Sequence, residues 1–241
     1  MQLVTITTSD GACPAYVARP GGTGPWPAVL VYMDGLGIRP AMLALGDRLA
    51  TYGYVVLLPD LFWRAGAYPP ASESMFHDPE ERKVLTARAQ SATPANVMQD
   101  TEAFLAWFGA QPDVKPGRIG VTGYCMGGAQ ALRAAGAFPD RIAAAASYHG
   151  GNLAVDAPDS PHVLAAQSRA RIYVACATDD VWFPDEQKDK LAAALASVDH
   201  KIETYPAKHG WVLADTSAYD EASAERHWQT LPALLESTLR A

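Results

Sequence analysis

The residues best suited to covalent chemistry lie in a glycine-rich stretch, where Cys125 stands between Gly123 and Gly127. A β-branched run precedes this stretch and a helix-like run follows it. That is the context of a nucleophile elbow, G-x-S-x-G, with cysteine in place of serine. The tight turn leaves almost no room for side chains two residues either side of the nucleophile, and the helix N-terminus favours a thiolate. The alternative is a glycine-rich turn that merely holds a buried cysteine.

An acid and a base follow this cysteine, each just after a predicted strand. Asp179 and Asp180 come after one strand, and His209 after the next. An imidazole would take the proton of the thiol, and a carboxylate would hold the imidazole in the useful tautomer. The order nucleophile, acid, histidine is that of the α/β-hydrolases. Either aspartate could instead cap a helix or form a turn. His209 differs from histidines such as His227, interpreted as surface residues, because it follows a strand and precedes glycine.

The elements that must position these residues alternate between strands and helices after an opening hairpin. Residues 3–7 and 13–18 alternate with period two around Asp10-Gly11, a strong hairpin signal. Further strands are predicted at residues 28–32, 54–58, 118–121, 142–148, 171–176 and 201–205. We therefore predict an α/β-hydrolase fold, with a mostly parallel central sheet, an N-terminal antiparallel hairpin and helices on both faces. Ligands bind beyond the carboxyl ends of such strands, where the candidate residues lie.

Composition limits the partners of this chain. Its 241 residues carry a net charge of −7, which argues against nucleic acid or an anionic membrane surface. No apolar run approaches the roughly 18 residues of a membrane span. Three cysteines without C-x-x-C spacing predict neither disulfides nor a metal site, and they fit a cytoplasmic protein. No repeat or linker divides the chain, so we predict one domain over residues 1–241. We also expect no cofactor.

The candidate residues resemble those of the dienelactone hydrolase family, the cysteine-dependent branch of the α/β-hydrolases. The similar segments are Gly-Tyr-Cys-Met-Gly-Gly at 123–128, Pro-Asp-Leu at 59–61, Thr-Asp-Asp at 178–180 and Lys-His-Gly at 208–210. The resemblance runs from about residue 15 to about residue 228. It implies that Cys125 is the nucleophile and His209 the base. The family's acid stands four residues before a proline, which selects Asp180 ahead of Pro184 and leaves Asp179 as the fallback.

Backbone amides are expected to form the oxyanion hole. In this fold it uses the N–H after the nucleophile and one from the loop after an early strand. These are the amides of Met126 and Gly35, with Leu36 as the alternative to Gly35. Asp34 aligns with a family glutamate that the resemblance implies contacts the resting cysteine. The shorter aspartate reaches less far, and its alternative role is to bind nearby backbone N–H groups.

Departures from the family pattern bear on the substrate. Arginines of the family hold a substrate carboxylate, one of them a few residues after the histidine, where this chain has Trp211 and no arginine. With Trp182, this difference predicts a more apolar substrate. Tyr124, His149 and Leu36 are also expected at the pocket. Residues 61–79, rich in proline and aromatics, are predicted to form a long loop that walls it.

The first hypothesis is a cofactor-independent hydrolase of small carboxylic esters or lactones that acts through an acyl-enzyme. Acyl or thioester transfer by the same three residues is a second hypothesis. The third is a ligand-binding protein that uses a hydrolase scaffold without turnover, because fold does not fix function. The oligomeric state is left open.

Overall fold

The structure, a computed structural model, describes residues 1–69 and 71–240. Within this part of the chain eight strands form a single sheet. The strands are β1 (Gln2–Thr8), β2 (Gly11–Ala18), β3 (Ala28–Tyr32), β4 (Val55–Pro59), β5 (Ile119–Tyr124), β6 (Ile142–Tyr148), β7 (Arg171–Cys176) and β8 (His200–Thr204). Their order across the sheet is β1-β2-β4-β3-β5-β6-β7-β8.

The sheet is mixed, with its antiparallel part confined to one end. β1 pairs with β2 as the predicted hairpin, and β2 pairs antiparallel with β4. Every other pairing is parallel, so the carboxyl ends of β3 to β8 lie at the same edge. This arrangement confirms the predicted α/β-hydrolase fold.

Helices connect the strands and cover them. The helices are α1 (Pro40–Thr51), α2 (Ser74–His77), α3 (Pro79–Ser91), α4 (Pro94–Gly109), α5 (Met126–Ala137), α6 (Pro161–Ala165), α7 (Asp185–Ala194) and α8 (Glu221–Leu239). The predicted long loop at 61–79 is therefore partly helical, with a 3-10 turn at Trp63–Ala65 as well as α2. The last helix, α8, begins at Glu221 because Asp220 caps it by accepting a hydrogen bond from the Ser223 amide at 2.8 Å.

Two glycines of β5 show that helices lie on both faces of the sheet. A Cβ on Gly120 would meet Leu235 of α8, whereas a Cβ on Gly123 would overlap the backbone of Gly127 in α5. Residues an odd number apart along a strand face opposite sides. The strand that leads into the elbow is thus enclosed by helices on both sides, and all six of its residues are buried. Among the described residues, no helix combines the length and apolarity needed to cross a membrane.

His227 of α8 is buried in the core, which corrects its interpretation as a surface residue. Its Nε2 lies 2.8 Å from the Tyr124 hydroxyl, and its ring packs edge-on against Tyr148. The residues next to His227 do not indicate its burial, which follows from the packing of α8 against the sheet. Burial, with a smaller contribution from the charge of Arg48, lowers the pKa of His227 to about 3.

This shift predicts that acid destabilises the fold through His227. In the unfolded chain the imidazole of His227 becomes protonated below a pKa of about 6.5, whereas in the folded protein it stays neutral down to a pH of about 3. The free energy of unfolding therefore falls as the pH falls from about 6.5 towards 3. His227→Gln keeps a group near Nε2 for Tyr124 but cannot titrate. Between pH 7.5 and 5, urea unfolding should show the wild type losing about 2 kcal/mol more than this variant. Equal losses in the two proteins would contradict a neutral, buried His227.

Candidate active site

Cys125 stands at a sharp turn directly between β5 and α5. Its backbone has φ 53° and ψ −120°, a conformation that non-glycine residues rarely adopt. The turn closes because two glycines allow it. A Cβ on Gly123 would overlap the Gly127 carbonyl, and a Cβ on Gly127 would overlap the carbonyl of Tyr32 in β3. This geometry lifts the sulfur to the carboxyl edge of the sheet, where the side chain is partly exposed.

His209 and Asp180 meet at the same edge. The Nδ1 of His209 lies 2.8 Å from Oδ2 of Asp180, whose side chain is 1% exposed. The other oxygen of Asp180 accepts a hydrogen bond from the Trp182 amide at 2.9 Å, which fixes the carboxylate. Asp179 is exposed and has φ 50°, a turn conformation that aspartate tolerates. Of the two candidate acids, Asp180 is the one hydrogen-bonded to the histidine.

The surroundings of His209 favour its protonated form. Burial alone lowers its pKa, but the hydrogen bond with Asp180 and the interaction with the neighbouring Cys125 raise it to about 10. Its Nε2 is buried and makes no hydrogen bond of regular geometry with the described residues. A positive ring beside the sulfur stabilises negative charge there. The same nitrogen is free to pass a proton to a bound group.

Two backbone amides at this edge of the sheet make no hydrogen bond with the residues that the structure describes. Met126 is the first residue of α5, so its N–H lacks an intrahelical partner. After β3, the Leu36 amide donates to Oδ1 of Asp34 at 3.0 Å. The Gly35 amide makes no hydrogen bond to any residue in 1–69 or 71–240. Of the two alternatives from that loop, the Gly35 amide is thus the one available to an oxyanion.

The model of the dienelactone hydrolase family matches residues 13–239. The chain belongs to this family. Membership indicates a hydrolase. A Synechocystis sp. protein provisionally named carboxymethylenebutenolidase is 27% identical over 244 residues, covering 99% of this chain and 97% of the relative.

Solved structures lead to the same family. A provisionally named dienelactone hydrolase from Klebsiella pneumoniae superposes with a TM-score of 0.85 at 26% identity, covering 97% of each chain. A dienelactone hydrolase-like promiscuous phosphotriesterase from metagenomic libraries superposes with a TM-score of 0.78 at 22% identity, covering 98% of each chain. The second likeness bears on the fold alone.

The carboxylate of Asp34 is bound by Arg39 and by its own loop. Its two oxygens bind the guanidinium of Arg39 at 2.7 and 2.9 Å, and one of them also accepts from the Leu36 amide. Arg39 is 3% exposed and reaches further to Asp215, at 2.6 Å. Asp34 therefore stabilises its own loop, as the alternative interpretation held, and links it to the segment after His209. The sequence carried no signal for Arg39, because the partner Asp215 lies 176 residues away.

The predicted pocket residues divide into exposed and buried groups. Trp182 is 56% exposed, whereas Trp211 and Tyr124 are fully buried. Tyr124 stacks on Tyr148 in the core and Trp211 stacks on Tyr205, and neither belongs to the lining of the open groove beside His209. Large aromatics bury well, and sequence alone does not separate the two roles. Leu36 is also buried, at 2% exposed, and contributes to the loop through its amide.

An open groove of about 600 Å³ lies against the histidine. Asp180 and His209 lie in its wall, and its apolar lining consists of Val181, Trp182, Pro206, Ala207 and Ala218. Val181 is 84% exposed, which is unusual for an aliphatic side chain. In the described residues no group of three or more His, Cys, Asp or Glu side chains is placed to hold a metal ion.

Proposed function

We propose that this protein hydrolyses small carboxylic esters or lactones through an acyl-enzyme on Cys125. The observation that carries the proposal is the Asp180–His209 hydrogen bond of 2.8 Å, formed beside a cysteine held at a strained strand-to-helix turn. Asp180 orients the ring, His209 handles protons and Cys125 is the nucleophile. Membership of the dienelactone hydrolase family supports hydrolysis. A cysteine, a histidine and an aspartate at one site support the same reaction.

Acylation begins when the sulfur of Cys125 attacks the carbonyl carbon and forms a tetrahedral intermediate. Its negative oxygen would receive hydrogen bonds from the amides of Met126 and Gly35, which have no acceptor within residues 1–69 and 71–240. The carbon–oxygen bond to the leaving group then breaks. Nε2 of His209 gives its proton to the departing alkoxide, which leaves as an alcohol, or stays tethered if the substrate is a lactone.

Deacylation uses the same histidine in the opposite sense. His209, now neutral, takes a proton from a water molecule, whose oxygen attacks the thioester carbonyl. The same amides stabilise the second oxyanion. Collapse of this intermediate breaks the carbon–sulfur bond, releases the carboxylic acid and returns the imidazolium–thiolate pair. Asp180 stabilises the imidazolium throughout, because its carboxylate stays bound to Nδ1.

The groove beside His209 favours substrates with an apolar portion. Val181 and Trp182 expose their side chains there, next to the histidine that protonates the leaving group. Apolar walls with a few polar groups are typical of small-molecule sites. We therefore place the leaving-group side of an apolar ester in this groove.

The intact protein should hydrolyse p-nitrophenyl acetate, and esters with aromatic leaving groups should have the highest kcat/KM. Mass spectrometry after brief exposure to a mixed ester library should find an acyl adduct on Cys125. An adduct with an amine or thiol acceptor in the products would assign acyl transfer instead. Tight binding of an ester without either product would assign a binding protein.

A further inference from the structure

His149 occupies an unusual position directly after β6. Its φ is 39°, which is uncommon for a residue other than glycine, and its side chain is buried, with 1% of the residue exposed. Its own amide donates to the Ala175 carbonyl of β7 at 2.8 Å, which fixes the backbone at the sheet edge. A buried histidine in a strained conformation persists only where the surroundings specify it.

The ring of His149 is hydrogen-bonded to the backbone of Cys125. Its Nδ1 accepts from the Cys125 amide at 3.2 Å, and the Tyr148 carbonyl accepts from the same N–H at 3.1 Å. An accepting Nδ1 carries no proton, so the neutral ring has its hydrogen on Nε2. That nitrogen is buried and makes no hydrogen bond with the described residues. The imidazole therefore contributes one specific polar contact, and it is to the turn residue.

The same ring also packs against the histidine of the site. Its centroid lies 5.1 Å from that of His209 and 4.9 Å from that of Trp211, both in edge-to-face geometry. Burial, and then the charge of His209, hold the pKa of His149 well below its usual range. A neutral His149 keeps its acceptor at Nδ1, and the proton of this histidine pair stays on His209.

We propose that His149 is a positioning residue for the nucleophile, which holds the Cys125 amide and thereby keeps the sulfur in reach of His209. This inference rests on the proposed nucleophilic role of Cys125. Cys125 and His149 have φ values of 53° and 39°, so two strained residues share one hydrogen bond. Without that acceptor, the Cys125 amide keeps only the Tyr148 carbonyl, and the turn gains freedom to relax. Misplacement of a reacting atom by an ångström lowers rates strongly.

Two substitutions separate the acceptor from the ring. His149→Asn places an amide oxygen near the position of Nδ1, and asparagine tolerates positive φ. His149→Phe keeps an aromatic ring for Trp211 and His209 but has no acceptor. His149→Gln, whose amide falls near the position of Nε2, replaces the phenylalanine variant if that one does not fold. Urea unfolding of each variant reports the change in stability separately.

The readouts are the rate of Cys125 alkylation by iodoacetamide at pH 7 and the kinetics of ester hydrolysis. We expect His149→Phe to slow alkylation and lower kcat about tenfold each, with KM changed less than about threefold. His149→Asn should stay within about threefold of the wild type in both. A merely structural role would move the unfolding free energy without this rescue.

Two results would overturn the inference. One is wild-type alkylation and kcat in the phenylalanine variant. The other is an asparagine variant that loses as much as phenylalanine at equal stability. If the wild type hydrolyses no ester at all, the proposed function fails, and alkylation alone then decides the role of His149.

Discussion

Alanine in place of Cys125 is expected to lower kcat for p-nitrophenyl acetate by at least about 10⁴-fold, because it removes the atom that bonds to the substrate. The residual rate would come from the amides of Met126 and Gly35 and from binding alone. The fold should be unchanged, since Cys125 is partly exposed and the turn depends on its backbone and on the flanking glycines. Stopped-flow hydrolysis with matched circular dichroism spectra measures both.

Cys176 provides the control for that substitution. It is buried in β7, where burial raises the pKa of its thiol to about 12, so it has little thiolate for attack. Cys176→Ala should keep kcat within about threefold of the wild type while lowering the free energy of unfolding by about 1 kcal/mol. If Cys125→Ala keeps the turnover rate of the wild type, Cys125 is not the nucleophile. Only the assignment as a hydrolase would then stand.

Much of the fold could be predicted because local rules and tertiary packing agree along this chain. The run from Ile142 to Tyr148 is apolar except for Ser147, and β6 has those bounds because both faces of the strand are covered. The tight turn at Cys125 could also be predicted, because it requires residues without a side chain on either side and the sequence has Gly123 and Gly127 there. Elements specified in this way need no knowledge of distant partners.

The parts that sequence could not predict depend on residues far apart in the chain. Arg39 binds Asp34 and also Asp215, so the link between the Asp34 loop and the segment after His209 depends on a contact across 176 residues. Tyr124 and Trp211 are expected at the pocket from the sequence, but both are fully buried. Aromatics serve cores and pockets alike, and only the three-dimensional packing separates the two roles. For the paired aspartates, the family resemblance favoured Asp180, but its hydrogen bond to His209 is visible only in the structure.

Asp180→Asn is the second prediction with a large effect, and it is expected to lower kcat by on the order of a hundredfold or more. The asparagine oxygen can still accept from the Trp182 amide, so the loop keeps its shape. Its NH₂ group then faces Nδ1 of His209 and donates to it, which forces the ring hydrogen onto Nε2. In that tautomer Nε2 cannot take the proton of a thiol or water, and no negative charge stabilises an imidazolium.

Asp179→Asn is the matched control, because it makes the same chemical change one residue earlier. Asp179 is exposed, and its φ of 50° suits asparagine at least as well as aspartate, so stability and kcat should both stay near those of the wild type. The loss in Asp180→Asn should appear in kcat more than in KM, since the carboxylate acts on the imidazolium of the transition state. If the two variants lose activity equally, the negative charge of the whole loop matters and the hydrogen bond to His209 does not decide the rate. A larger loss in Asp179→Asn would transfer the role of the acid to that residue, which would have to reach Nδ1 after a rearrangement of the turn.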